Sequence, residues 1–418
     1  MNRAVYSLLW HLGLPLIGLR LLWRARKQPE YLQHLAERFG RAALAGTRPR
    51  IWLHAVSVGE TRAAQPLIAG LLGAFPEHDI LLTHMTPTGR ATSEALFGNE
   101  ARVTRCYLPY DFPWAQARFL ARARPQIGIV METEVWPNLM RAAANASVPM
   151  LLVNARLSAR SARGYAKLGP LARQTFGSFS RVLAQTADDA SRLRDCGARA
   201  VGISGNVKFD VELAPDRLAL GDSFREAAGR RPVILAASTR EGEEGPLLDA
   251  FMQHAPAEAL LVLVPRHPQR FDEIATLIAQ SGLVSTRRSA GVQITPETRV
   301  WLGDSMGEMV AYYRMADLAI IGGSWAPLGG QNLIEACAAG TPVIFGPHTF
   351  NFTEAAEKAI AAGAAIRCED LDQALARCAA LLTDTNKRAR MSEAGRAFAS
   401  ANQGATARTL SVVKDVLG

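Results

Sequence analysis

A repeating order of apolar strand, polar loop and helix constrains this chain more than any other feature. Apolar runs of strand length recur through most of the sequence, and each ends in a loop of polar residues, glycine or proline. Such alternation, at intervals of about 25 to 50 residues, is typical of a parallel, doubly wound sheet. Ligands of such sheets bind at the carboxyl ends of the strands. The sequence therefore predicts an α/β fold whose functional residues lie in the loops after the strands.

The apolar runs fall into two groups, which predict two domains. The predicted strands begin near residues 50, 80, 103, 126, 148, 181 and 201, and then near residues 232, 259, 300, 316 and 342. Segment 209–231 is polar and bounded by prolines, which indicates a linker. We therefore expect domains at 28–208 and 232–395, and a C-terminal helix, 396–418, that is free to pack back on the first domain. A chain of 418 residues, 49% of them hydrophobic, can bury two cores.

The N-terminus is almost wholly apolar. Residues 4–23 are interrupted by His11 and Arg20, contain Pro15, and precede a basic cluster, Arg24, Arg26 and Lys27. This length predicts an apolar membrane-anchor helix within residues 1–27 that either spans a bilayer or lies in its interface, with the following domain cytoplasmic. No small-residue cleavage site follows, which argues against a signal peptide. A buried first helix is the alternative interpretation.

Charge and cysteine content restrict the classes of partner and site. The formal net charge of +9 and a pI of about 9.6 favour anionic partners such as nucleic acid, acidic lipid headgroups or phosphorylated substrates. Arginine is spread along the chain rather than gathered in one tail, which argues against a nucleic-acid arm. Five cysteines without a CxxC pair, and no clustered histidines, argue against disulfides and a zinc site.

Several catalytic motifs are missing from the sequence. No GxGxxG follows a predicted strand, no Walker lysine loop occurs, and the SVG at Ser57 is not a nucleophile elbow. No acid-rich metal motif such as DxD follows a predicted strand. A hydride transferase, a P-loop ATPase and a serine hydrolase therefore lose support.

A glycine-rich turn within residues 322–352 predicts a phosphate site. Apolar residues 316–321 lead into glycines and then into an alanine-rich helical segment, 332–339. Glycine allows close approach of a ligand, and a helix start offers unpaired N–H groups to an anion. Glu335, in the first turn, is placed to accept ribose hydroxyls. A plain α/β turn with an acid favoured by the helix dipole is the alternative.

Three glutamates follow predicted strands and are candidates for proton transfer. Glu60 comes after Gly59 at a predicted helix start, where it could deprotonate a hydroxyl nucleophile. An ordinary first-turn acid is the alternative. Glu132 and Glu134 alternate, so a continuing strand would send them to opposite faces and leave only one in the crevice.

Basic side chains at strand ends are candidates for anion binding. Lys208 follows Gly205 and Asn206. Arg266 and His267 come directly after an apolar predicted strand. Arginine suits bidentate phosphate recognition, whereas a solvated surface cation is the alternative for each.

Seven segments together resemble one enzyme family along most of the chain: LHAVSVGET, METEVWPNL, NARLSARSARGY, GNVKFD, VPRHPQRF, GDSMGEM and GGSWAPLGGQNLIEA with GTPVIFGPHTFNF. The chain resembles the 3-deoxy-D-manno-oct-2-ulosonic acid (Kdo) transferases of Gram-negative bacteria. The resemblance implies a GT-B glycosyltransferase, with two Rossmann-like domains facing a central cleft, at the cytoplasmic face of the inner membrane. It implies inverting transfer of Kdo from CMP-Kdo to a lipid A precursor, without metal or other cofactor.

The resemblance also implies roles for individual residues. Glu60 would be the general base, and Glu132 with Lys208 would stabilise the transition state. The CMP site would comprise Arg266, His267, Met306, Gly307, Glu308, Asn332, Leu333, Ile334 and Glu335. Many relatives carry proline where this chain has Leu333, a departure that leaves the backbone N–H groups of the turn available.

Other functions remain open from sequence alone. A UDP-sugar-dependent GT-B transferase acting on another membrane lipid is the alternative enzyme, and a non-catalytic protein that binds nucleotide or nucleic acid is the alternative class. The sequence does not define the number of Kdo residues transferred, the oligomeric state, or which of Glu132 and Glu134 faces the cleft.

Overall fold

The structure, a computed structural model, describes residues 1–291 and 293–418 in two compact units. The first unit comprises Met1–Asp210 and Gln403–Gly418, and the second comprises Val211–Asn402. Each unit contains one seven-stranded sheet, and the strand pairs that the structure describes are all parallel. The prediction of an α/β protein with parallel sheets is confirmed.

The first unit has its strands in the order β3-β2-β1-β4-β5-β6-β7. They are β1 Arg50–His54, β2 Asp79–His84, β3 Val103–Tyr107, β4 Pro125–Met131, β5 Met150–Ala155, β6 Arg181–Ala184 and β7 Val201–Ile203. The helices are α1 Arg3–Leu12, α2 Leu14–Ala25, α3 Val58–Ala63, α4 Gln65–Ala74, α5 Pro87–Phe97, α6 Pro113–Ala123, α7 Pro137–Asn145, α8 Ala159–Ala166, α9 Pro170–Phe176 and α10 Ala187–Asp195, with a last helix at Ala405–Leu417. Short 3-10 helices lie at Pro29–Leu32, Glu37–Phe39 and Val207–Phe209.

The central strands of this sheet are buried on both faces. In β1, Trp52 packs in one apolar core, whereas Ile51 and Leu53 pack in another on the opposite face. Continuous apolar runs, rather than alternating ones, are what strands covered by helices on both sides require. The pattern that predicted these strands therefore follows from their burial.

The second unit has the strand order β10-β11-β9-β8-β12-β13-β14. Its strands are β8 Val233–Thr239, β9 Leu260–Pro265, β10 Ser285–Arg287, β11 Val300–Leu302, β12 Leu318–Ile321, β13 Val343–Phe345 and β14 Ala365–Arg367. Its helices are α11 Pro215–Ala228, α12 Glu244–His254, α13 Phe271–Gln280, α14 Met309–Met315, α15 Ile334–Ala339, α16 Thr353–Ala361, α17 Leu371–Thr383 and α18 Thr385–Asn402; the last helix of the first unit, Ala405–Leu417, is α19. Short 3-10 helices lie at Pro268–Arg270 and Arg288–Ala290.

Two strands of the second unit escape the sequence prediction. Strands β10 and β14 are three residues each and lie at opposite edges of the sheet. Every residue of β10 is at least partly exposed, and so is most of β14. Because half-solvated edge strands need no apolar run, periodicity does not reveal them.

The apolar N-terminus forms two helices rather than the predicted single anchor helix. Helices α1 and α2 meet at Gly13 with a bend of 51°. Pro15 lies in the first turn of α2, where its missing N–H costs nothing because the first N–H groups of a helix have no helical partner. In the middle of a continuous helix, the same proline would break the hydrogen bonding. Among the described residues, no single helix is long and apolar enough to cross a membrane. By length and composition, α1 and α2 taken together are.

The segment expected to be a linker, 209–231, is largely helical. It contains α11, which packs against α14 of the second unit, with Gly221 close to Arg314 and to the carbonyl of Ala311. Its polar composition reflects a helix with one exposed face rather than an unstructured connection. At the other end, α18 continues past residue 395 to Asn402, and only α19 packs against α4 of the first unit.

Candidate active site

The order of strands in the first sheet brings the candidate acids together. Strand β1 lies between β2 and β4, so consecutive connections leave it in opposite directions, and this is the topological switch point of the sheet. Glu60 follows β1, and Glu132 with Glu134 follows β4, the strand that pairs with β1. All three carboxylates therefore lie at the sheet edge where doubly wound folds bind ligands.

Glu60 is held by its own turn at the start of α3. Ser57 is the N-cap residue of this helix, and its hydroxyl donates to Glu60 Oε1 at 3.1 Å. The backbone N–H of Val56 donates to Glu60 Oε2 at 2.7 Å. The Glu60 N–H in turn donates to Ser57 Oγ at 3.5 Å. This is a variant of the capping box in which the carboxylate accepts the N–H of Val56 instead of the N-cap N–H, so the acid also supports the helix start, as the alternative interpretation predicted.

The surroundings of Glu60 make it a better base than an ordinary glutamate. Burial, together with the negative charges of Glu132 and Glu134, raises the pKa of Glu60 to about 7, against the opposing hydrogen bonds from Val56 and Ser57. A carboxyl with a pKa near the working pH is suited to accept a proton during a reaction. A solvated capping acid would show no such shift.

Glu132 and Glu134 do not diverge as strand alternation predicted. Strand β4 ends at Met131, and Glu132 has a φ of 56°, a left-handed conformation that non-glycine residues seldom adopt. The alternation therefore stops, and both carboxylates lie close enough to Glu60 for their charges to act on it. Glu134 Oε2 accepts a hydrogen bond from the indole Nε1–H of Trp136 at 2.8 Å.

Lys208 lies on a 3-10 turn that is tied to the end of β5. The N–H of Val207 donates to the side chain of Asn154 at 3.2 Å, and the N–H of Lys208 donates to the side chain of Asn206 at 3.0 Å. Gln185 joins Asn206 to the carbonyl of Asn154. The turn follows the edge strand β7, whereas β5 pairs with β4 nearer the middle of the sheet. These hydrogen bonds therefore fix the turn of Lys208 against a strand that lies closer to the switch point.

In the second unit, the sheet has its own switch point between β8 and β12. The loops after these two strands are joined by Glu243, a residue that the sequence analysis missed. Its carboxylate accepts hydrogen bonds from the backbone N–H groups of Arg240 at 2.9 Å, Gly323 at 2.7 Å and Trp325 at 3.2 Å. Glu243 is only 3% exposed, so it fixes the glycine turn from inside the unit.

The glycine turn itself requires close backbone approach. A Cβ on Gly322 would lie 2.5 Å from the carbonyl oxygen of Ser238 and 2.6 Å from the Cα of Thr239. A Cβ on Gly346 would lie 2.4 Å from the carbonyl oxygen of Ser324. These glycines are therefore needed for packing between loops, which is a different reason from the ligand contact that the sequence suggested.

Basic side chains meet at the ends of β8 and β9. The N–H of Arg266 donates to the carbonyl of Thr239 at 3.0 Å, which places the two loops side by side. Burial lowers the pKa of His267, and the charges of Arg240 and Arg266 lower it further against the opposing charge of Glu241, which favours the neutral imidazole. Arg240 is thus a further cation beside the predicted pair, and its position directly after a strand was the available signal.

The predicted loop at Met306, Gly307 and Glu308 precedes α14. Met306 is 58% exposed, and Gly307 has a φ of 76° that favours glycine. Glu308 pairs with Arg288 at 3.2 Å and accepts a hydrogen bond from Ser305 at 2.6 Å.

The segment at residues 332–335 turns before it becomes helical. Helix α15 starts at Ile334 instead of Asn332, because the Asn332 side chain accepts the Ile334 N–H at 3.0 Å. Asn332 Nδ2 also donates to Glu335 Oε1 at 2.9 Å. Leu333 and Ile334 are each only 1% exposed and belong to the interior. Both residues are therefore buried, and the Ile334 N–H is already used by the Asn332 side chain.

Two family models match the two parts of this chain. Residues 33–211 match the family described as 3-deoxy-D-manno-octulosonic-acid transferase (kdotransferase), and residues 286–398 match glycosyl transferases group 1. The first match includes Glu60, Glu132, Glu134 and Lys208, and the second includes the segment 332–335.

Relatives match the chain over its full length. It is 50% identical over 432 residues to a 3-deoxy-D-manno-octulosonic acid transferase from Bordetella pertussis, with 100% of both chains covered. It is 37% identical over 426 residues to a 3-deoxy-D-manno-octulosonic acid transferase from Haemophilus influenzae, with 100% of this chain and 99% of that protein covered.

Solved structures share the fold. A glycosyltransferase from Rickettsia africae has a TM-score of 0.56 and 15% identity, covering 89% of this chain and 99% of the other. An Anabaena protein solved with UDP and glucose has a TM-score of 0.54 and 16% identity, covering 88% and 99%. At these identities the likeness concerns the fold alone, which is an α/β fold of the GT-B kind.

Proposed function

Because this chain belongs to the 3-deoxy-D-manno-octulosonic acid transferase family, we propose that it transfers Kdo from CMP-Kdo to a lipid A precursor, with inversion and without a metal ion. It is a glycosyltransferase by this membership. The observation that carries the proposed mechanism is Glu60, a partly buried carboxyl with a raised pKa at the switch point of the first sheet.

In the proposed reaction Glu60 is the general base. The acceptor hydroxyl oxygen bonds to the anomeric carbon of Kdo while the bond from that carbon to the CMP phosphate oxygen breaks. The hydroxyl proton passes to Glu60, and the electron pair of the broken bond stays on the phosphate. Attack from the face opposite the leaving group inverts the anomeric centre. Because the base must be deprotonated, a pKa of about 7 predicts a rate that rises with pH and levels off above that value.

The charges that develop in this reaction match residues in each unit. The sugar gains positive character as the bond to CMP breaks, and Glu132, close to Glu60, is assigned to stabilise that charge. The leaving phosphate gains negative charge, for which we assign Lys208 and Arg266 in place of a metal ion. His267, the 306–308 loop, and the side chains of Asn332 and Glu335 complete the proposed CMP site, with Leu333 and Ile334 supporting them from the interior.

Donor choice is the first test of this function. In calorimetry with the purified chain and excess EDTA, we expect CMP to bind and UDP not to compete. Arg266→Met should weaken CMP binding by about tenfold or more, the loss of one charge-assisted contact. The exposed Arg230 lies in the same unit, and Arg230→Met should bind CMP as the parent does.

Other outcomes would point elsewhere. Preferential UDP binding, with transfer from a UDP-sugar, would favour the alternative enzyme. Loss of CMP binding in EDTA, restored by a divalent cation, would contradict the metal-independent mechanism.

We also propose that the chain acts at the cytoplasmic face of the bacterial inner membrane, where its acceptor would reside. Helices α1 and α2 support this location, because Leu21 is their only buried residue. Their exposed apolar side chains include Leu12 at 67%, Leu16 at 68% and Leu19 at 63% exposure. Single exposed apolar residues are common on proteins, but a continuous set on neighbouring helices indicates contact with an apolar phase. The net charge of +9 suits an anionic lipid surface.

Vesicle flotation tests the membrane proposal. We expect the parent chain to float with vesicles that contain phosphatidylglycerol, and a variant with Leu12, Leu16 and Leu19 changed to Asp to stay in the soluble fraction. The matched control changes three equally apolar, exposed residues elsewhere, Ile203, Met252 and Val284, to Asp. Equal loss of flotation in both variants would mean that added negative charge, rather than this helical surface, explains the result.

A further inference from the structure

Helix α1 has two different faces. Its outer face bears Leu8 and Leu12, which are 57% and 67% exposed. Its inner face contacts the first unit through polar groups, since Ser7 Oγ donates to Asn138 Oδ1 at 2.8 Å and the Tyr6 side chain hydrogen-bonds to Asp111. The helix is therefore fixed on the protein and is not merely an apolar attachment.

Trp10 extends the inner face of α1 toward the candidate active site. Its ring stacks on that of Trp136, with centroids 6.4 Å apart and an angle of 28° between the planes. It also meets the edge of Phe112 at 5.5 Å. Trp136 directly precedes α7 and follows the loop that carries the candidate carboxylates. A side chain of α1 thus packs on the end of that loop.

Trp136 in turn holds one of those carboxylates. Its indole N–H donates to Glu134 Oε2 at 2.8 Å, and its ring lies 6.5 Å from that of His54 at the end of β1. The charged and titratable groups that interact with Glu60 or Glu134 are Glu132 on the same loop and Tyr165 of α8. Glu134 acts on Glu60 through its charge, so its position affects the proton affinity of the proposed base.

We propose that α1 is a positioning element of the active site: Trp10 holds Trp136, and Trp136 holds Glu134 beside Glu60. This inference rests on the proposed function, in which Glu60 is the base. Trp10 and Trp136 are positioning residues that touch no substrate in this scheme. The consequence is that the helix carrying the exposed leucines also sets the geometry of proton transfer, so undocking of α1 lowers turnover even where substrates still bind.

Steady-state kinetics test this coupling in the full chain. Trp136→Phe keeps an aromatic ring but removes the indole N–H, and Trp10→Leu removes the stacked ring while keeping an apolar side chain. In each variant we expect kcat to fall about tenfold, because Glu60 is a weaker base once Glu134 is displaced from it. The donor KM should not change, and the acidic limb of the pH profile should move to lower pH as Glu134 leaves Glu60. The control Trp114→Phe makes the same chemical change at a 40% exposed ring and should behave as the parent.

A readout without turnover separates this inference from the proposed function. With 5-fluorotryptophan at the seven tryptophans, the fluorine signal lost in Trp136→Phe is assigned to Trp136. We expect that signal to follow the protonation of Glu60 and to shift in Trp10→Leu. If Trp136→Phe does not fold, Glu134→Gln keeps an oxygen for the indole but removes the charge, and it should move the acidic limb of the pH profile to lower pH.

The possible results test the positioning role of α1 and the role of Glu60 separately. An unchanged Trp136 signal and normal turnover in Trp10→Leu would overturn the positioning role of α1. A Glu60→Gln enzyme with normal turnover would instead overturn the proposed base, and the fluorine signal would still show whether α1 holds Trp136.

Discussion

Glu60→Gln is expected to abolish nearly all Kdo transfer while leaving the donor bound. Glutamine keeps an oxygen that can accept the Val56 N–H, but it cannot take the proton of the acceptor hydroxyl. Loss of a general base lowers kcat by about 10² to 10⁴-fold. The measurements are transfer of labelled Kdo to a lipid A precursor and calorimetric binding of CMP.

The pH profile sharpens this prediction. The parent should lose activity as pH falls through about 7, because Glu60 then carries a proton and cannot act as a base. The residual activity of Glu60→Gln should lack this acidic limb. Glu77→Gln makes the same change at a side chain that is 86% exposed in the same unit, and it should keep the parent profile. Normal transfer by Glu60→Gln would remove the assignment of the base.

Glu243→Ala is expected to open the glycine turn of the second unit. Three backbone N–H groups would lose their acceptor inside the protein, those of Arg240, Gly323 and Trp325. Each unpaired buried donor costs about 1 to 3 kcal/mol, so we expect about 3 kcal/mol or more of local destabilisation. Hydrogen exchange of a peptide covering residues 318–330 should accelerate by about two orders of magnitude, and CMP binding should weaken.

Two variants serve as comparisons for Glu243. Glu241→Ala removes a neighbouring acid that is 54% exposed and paired with the Arg240 side chain, and surface pairs of this kind contribute little. It should leave exchange of the 318–330 peptide unchanged. Glu243→Gln keeps one acceptor oxygen and should fall between the parent and Glu243→Ala. Equal exchange in all four proteins would show that the carboxylate does not hold the turn.

Local sequence patterns predicted the strands that are buried along their whole length. The interior strands have apolar runs because helices cover both of their faces, as Trp52 and Leu53 illustrate on the two sides of β1. The edge strands β10 and β14 have no such run and were missed. The break at Gly13 was also missed, since an apolar composition of spanning length continues through it.

The candidate site was predictable in a similar, partial way. Glu60 and Arg266 follow apolar strands, so the rule that ligands bind at strand ends was sufficient to select them. Glu243 lies among the acids of 241–244, a composition that is typical of a solvent-exposed charged segment. Only its contacts with N–H groups 80 and 82 residues away distinguish it, and no sequence spacing contains that information.

The sequence by itself determined the fold class, the family and the set of strand ends that carry polar residues, because each depends on order along the chain. The tertiary structure alone decided which of those ends are neighbours. Strand order places the residues after β4 beside Glu60, and the turn at Glu132 keeps both glutamates there. Strand pairing and side-chain packing bring together residues that are distant in sequence. The burial of Glu60 and the neighbouring charges of Glu132 and Glu134, which set its pKa, exist only once these residues are together.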